Sequence, residues 1–184
     1  MPVIVTPESF VMVEYDQPTI TAEAERIVAL LGIASSDDIR IEVDEATPFG
    51  RTAVVSVDPV VLAIEGGAFE DPRHPRKLGM PQVASTLGQL LVHVYDRRDP
   101  SFGDPPADDD LNLAHRVAWD VYAMGRLDRL GIDGQRQRRL YAFRNRVGFT
   151  DVADEAFTRL WTGTDLTWEA ITSLADDAAA ARLA

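Results

Sequence analysis

The alternation of apolar and polar positions divides the chain into a strand-rich first part and a helical remainder. Between residues 19 and 31, Ala24, Ile27, Val28 and Leu31 recur at helical spacing, with Thr19 or Thr21 as the cap and Gly32 as the stop. Ile39, Ile41 and Val43 then alternate with Arg40, Glu42 and Asp44, the period-2 signal of a half-buried strand. After Pro48-Phe49-Gly50, the runs TAVVSV (52–57) and VVLAIE (60–65) are almost continuously apolar. Such runs predict central strands covered on both faces. Asp58-Pro59 joins them, as a tight turn or as an offset within one kinked ribbon.

The stretch from Glu65 to Gly79 is rich in Gly, Pro and charge and reads as a loop. Beyond it the period becomes helical to the end. One helix is predicted from about Pro81 to Arg97, with Val83, Leu87, Leu90, Leu91 and Val94 on one face. A proline-containing loop spans 99–107, and a long helix follows from about Asp108 to Leu130, stopped by Gly131. Shorter helices are predicted over 135–147, 151–161 and 167–182. There is no internal repeat. Strands followed by packed helices predict an α+β fold: an N-terminal helix and small β-sheet, then a mainly helical C-terminal half. We read residues 1–184 as a single domain, since 184 residues suffice for one sizeable core and are few for two.

Composition removes several chemistries. There is no cysteine, which excludes disulfides, thiolate metal sites and cysteine nucleophiles together. The net charge of −12 disfavours general attraction to nucleic acid or anionic lipid. No apolar run approaches the roughly 18 residues a membrane span needs, and the N-terminus lacks a basic region followed by a long apolar stretch. A cytoplasmic protein is therefore expected. Arginine outnumbers lysine, of which Lys77 is the sole example; we read this as the coding bias of a high-GC bacterial genome.

Within the helix that follows the loop, residues 85–89 read Ser-Thr-Leu-Gly-Gln. Leu87 and Gly88 match the centre of the HELGH zinc-protease motif, in which two histidines four residues apart bind zinc and a glutamate activates water. Ser85, Thr86 and Gln89 occupy the ligand and base positions and are chemically unsuited to either role. Thr86 to Gln89 also has the form of a capping box, whereas Pro81 suits a first helical turn. The Pro81 start is preferred, because Val83 then joins the apolar stripe.

With Gly66-Gly67-Ala68-Phe69-Glu70-Asp71-Pro72 before it and Ala118-Trp119-Asp120-Val121-Tyr122-Ala123-Met124-Gly125-Arg126-Leu127 after it, this region resembles small actinobacterial zincin-like proteins. The resemblance covers roughly residues 39 to 131. It implies a metalloprotease-like fold in which a second helix faces the motif helix, and a degenerate cleft of Ser85, Thr86, Gln89, His93, His115, Trp119 and Asp120. No catalytic residue, cofactor or metal is expected there. The leading expectation is a pseudoenzyme serving as a binding or interaction module, with a protein as its partner.

Two alternatives remain. His93, with Asp96 three residues on and His115 on the next helix, would make a relocated metal site for a hydrolase. The segment 135–146 carries Arg136, Arg138, Arg139, Arg144 and Arg146 and no acid, a candidate anion or nucleic-acid patch with Tyr141 and Phe143 for stacking. The opposing reading puts Leu140, Phe143 and Val147 in the core and pairs the arginines with acids such as Asp151, Asp154 and Glu155. Asp108-Asp109-Asp110-Leu111-Asn112 is not a calcium loop, since Leu113 and Trp119 stand where glycine and glutamate are needed. Its acids suit a helix N-terminus instead. No P-loop, G-x-G-x-x-G or G-x-S-x-G is present.

Overall fold

Val3–Thr6 forms a first strand, β1, which the short Val-Ile-Val-Thr run between prolines had not marked as one. The computed structural model describes residues 3–33 and 38–182. They form two compact units, the first ending at Arg98 and the second beginning at Asp99, each taken by itself below.

In the first unit, β1 leads to helix α1 (Gln17–Leu31) and then to β2 (Ile39–Asp44), which lies parallel to β1 with Val3 opposite Ile39 and Thr6 opposite Glu42. The helix begins two residues earlier than its apolar stripe indicates. Asp16, not Thr19 or Thr21, is the cap: its carboxylate accepts from the Thr19 amide at 3.0 Å. Gly32 ends the helix at φ 65, a left-handed conformation that glycine adopts without a Cβ penalty.

Strands β3 (Thr52–Val57) and β4 (Val60–Glu65) form a tight hairpin through Asp58-Pro59, with Val57 opposite Val60. β4 inserts beside β2 and runs parallel to it, from Ile39 opposite Val60 to Asp44 opposite Glu65. The sheet order is β1-β2-β4-β3. Its parallel core departs from the simple picture of local hairpins followed by helices, because α1 is a crossover between parallel strands.

Only one face of this sheet is covered. Val3, Val5, Ile39, Ile41, Val43, Val54, Val60, Leu62 and Ile64 are buried, while Ile4, Arg40, Glu42, Asp44 and Val55 are exposed. The expectation of doubly covered strands is corrected here. In β4 the apolar run arises from Val61 and Ala63, which are half-buried on the open face.

The expected loop after β4 contains a 3-10 turn (Gly66–Phe69) and a small hairpin of β5 (Glu70–Asp71) and β6 (His74–Leu78). Helix α2 (Met80–Arg98) follows and packs against α1 and the sheet. Its start at Met80 puts Thr86 inside the helix, so Thr86 to Gln89 is not a capping box.

The second unit is helical. Asp108–Asp110 forms a 3-10 turn, and α3 (Leu113–Arg129) begins only after Asn112, whose side chain accepts from the Ala114 amide at 2.8 Å. The three aspartates therefore precede the helix rather than opening it. Around α3 pack α4 (Arg136–Val147), α5 (Asp151–Thr162) and α6 (Trp168–Ala181), the last two capped by Thr150 and Thr167. Trp119, Phe143, Phe157, Leu160 and Ile171 fill the core between them.

Candidate functional site

The motif positions on α2 are occupied with structural tasks. Ser85 is buried, and its hydroxyl donates back to the Gln82 carbonyl of its own helix at 3.2 Å. The Thr86 hydroxyl donates to the Ala68 carbonyl in the 3-10 turn at 3.3 Å, tying α2 to the segment after β4. Gln89 is half-buried, and His93 and Asp96 are buried farther along the helix. Only the Thr86 bond reaches another element, while the Ser85 bond stays within α2.

Of the candidates in the second unit, Trp119 is a core residue. Its ring stacks on Phe102 with centroids 5.6 Å apart and meets Trp168 edge-on at 5.3 Å. His115 is engaged by α6: its Nε2 lies 2.7 Å from the Asp176 carboxylate. Among the described residues, no three histidine or acidic side chains gather in a group able to hold a metal ion.

Asp120 is recessed on α3. Burial pushes its carboxyl up to about 6, the Arg139 and Arg116 guanidinium groups draw it back, and Asp108 raises it. Burial likewise lowers Arg139, opposed by the attraction of Asp120. The Arg139 Nε is buried and has no hydrogen-bond partner among the described residues.

The arginines of α4 thus have different surroundings. Arg144 pairs with Asp154 through two bonds of 2.7 and 2.5 Å, as the intramolecular reading anticipated for that acid. Arg136 lies over the Phe157 and Trp161 rings, 5.3 and 5.9 Å from their centroids. Arg138 donates to Gln135 at 3.0 Å, and Arg146 is exposed without an ionic or hydrogen-bonding side-chain partner among the described residues. Tyr141 is exposed, whereas Phe143 is fully buried and is removed from any stacking role.

A site the motif search did not find lies on the open face of the sheet. A groove of about 540 Å³ runs over the carboxyl ends of β1, β2 and β4 and the start of β3. Ala53 and Ala63, opposite each other on β3 and β4, form its low floor. Glu42, Asp44 and Glu65 stand around it with Arg51, and Thr6 and Pro7 close the β1 side.

Asp44 and Glu65 are register partners on adjacent parallel strands, which brings two like charges side by side. Local donors absorb part of each: Asp44 accepts from Ala46 N at 3.1 Å and from the Thr47 hydroxyl at 2.5 Å, and Glu65 accepts from Arg51 N at 2.9 Å. Glu42 is exposed, and among the described residues its carboxylate has no hydrogen-bond or ionic partner. An apolar floor with a carboxylate excess at the rim suits a ligand that joins a positive charge to an apolar body.

The sequence signal for this site was the polar half of the β2 alternation, Arg40, Glu42 and Asp44. It could not be read as a groove without the neighbouring strands. No protein-family model matches this chain, and neither does any curated protein or solved structure.

Proposed function

We propose that this protein is a non-catalytic binding module whose ligand or partner enters the groove on the open sheet face. The observation that carries this reading is the one-sided sheet. Parallel strands are ordinarily covered on both faces, yet here the second face presents two alanines, a bordering groove and unsatisfied charge. The position over the carboxyl ends of parallel strands is also where open sheets bind ligands. In this reading α2 is the counterpart of a zincin metal helix, with Ser85 and Thr86 turned to packing tasks.

Dansylcadaverine, an aromatic amine, tests the groove by fluorescence titration. Saturable binding is expected, weakened by salt and lost in Ala63→Arg with an unchanged far-ultraviolet circular dichroism spectrum. Binding that survives Ala63→Arg, or an equal response to the anionic dye anilinonaphthalene sulfonate, would refute the reading.

A further inference from the structure

Resting on that reading of the groove, we infer that its occupant is the outer face of α4 from a second copy of this chain. Helix α4 presents Arg138, Tyr141, Ala142 and Asn145 along one exposed stripe, since residues three, four and seven apart share a helical face. Exposed Phe149 follows the helix, with Arg144 lying 5.8 Å from the centre of the Tyr141 ring and 5.9 Å from that of Phe149. Arginine and aromatic side chains arranged in this way are the usual anchors of protein interfaces. The stripe carries no acid.

The groove offers the complement. Small Ala53 and Ala63 leave room where Tyr141 projects, and a helix laid on a bare sheet face is the packing that ordinarily covers it. Among the described residues Glu42 has no hydrogen-bond or ionic partner, and neither has Arg146 beside the α4 stripe, so each can neutralise the other across copies. The −12 of the chain opposes nucleic acid and a second copy alike, and of the two only the second copy brings a small-residue floor for Tyr141 beside a carboxylate for Arg146. Each copy holds one groove and one stripe, so a single contact between two copies uses the groove of one and the stripe of the other.

Sedimentation velocity of the full chain tests this. At low salt the wild-type mass should rise above the monomer with concentration and return to it as salt is added. Glu42→Arg alone, and Arg138→Glu with Arg146→Glu, should each weaken association by about tenfold or more. Mixing these two variants should restore a complex, because one intact groove then meets one intact stripe. A wild type that stays monomeric at high concentration and low salt, or association indifferent to both variants, would overturn the inference. Dansylcadaverine binding by such a monomer would leave the groove standing and remove only the second copy.

Discussion

Gly125 of α3 lies so close to Trp161 of α5 that a Cβ on it would stand 2.1 Å from the Trp161 carbonyl oxygen. That same carbonyl accepts from Arg129 Nη1 at 2.7 Å, a second contact from the same helix one turn on. The crossing of these helices therefore depends on a bare Cα at position 125 and on a cation one turn later.

Gly125→Ala should destabilise the chain even though alanine is the better helix former by about 1 kcal/mol. The obstructing atoms are backbone, so the helices must move apart, at a cost of about 2 to 3 kcal/mol. Urea denaturation followed by tryptophan fluorescence measures this. A midpoint equal to or above that of wild type would show that the two helices can separate without loss.

Asp120 should make stability depend on pH. Burial is the main cause of its raised carboxyl, at about 6 against an ordinary 3.8, so the folded chain holds this proton more tightly than the unfolded one. The contribution is fully present below the unfolded value and is lost as pH rises through the folded one. Relative to Asp120→Asn, wild type should thus lose about 3 kcal/mol between about pH 4 and pH 7. Comparing the two proteins at each pH cancels the titration of the other groups, and the change of their difference with pH, not its absolute size, reports Asp120. Parallel stability curves across that window would show that Asp120 ionises normally.

Restoring the metal motif should harm the fold before it creates a site. Ser85 is buried and bonded within its own helix, so the larger imidazole of Ser85→His should cost about 1 to 3 kcal/mol by overpacking. Elemental analysis of the wild type purified without chelator should find no stoichiometric zinc, and the same analysis of Ser85→His with Thr86→Glu and Gln89→His should find little. One zinc per wild-type chain, lost in His93→Ala, would instead establish a relocated metal site.

The order of helices was legible in the chain because each of them repeats apolar residues over several turns. Gly32 marked a helix end, and Thr150 and Thr167 cap helices that begin where the pattern places them. The candidate chemistry was less legible. Ser85 and Thr86 could be judged unfit for zinc from their side chains alone, but that Thr86 binds the Ala68 carbonyl depends on a turn eighteen residues away.

Local periodicity determined that residues 39–44 alternate and that 52–57 and 60–65 extend, because alternation reflects what each residue's own two faces meet. It could not say that β4, rather than β3, would pair with β2, since strand pairing joins residues distant in sequence. That pairing leaves one sheet face bare and sets Ala63 beside Glu42, producing the groove. The five arginines of α4 were equally plain as a cluster. Tertiary packing alone sent Arg139 toward Asp120, gave Arg144 to Asp154 and left Arg146 in solvent, because a guanidinium's partner is set by which helix lies within its reach.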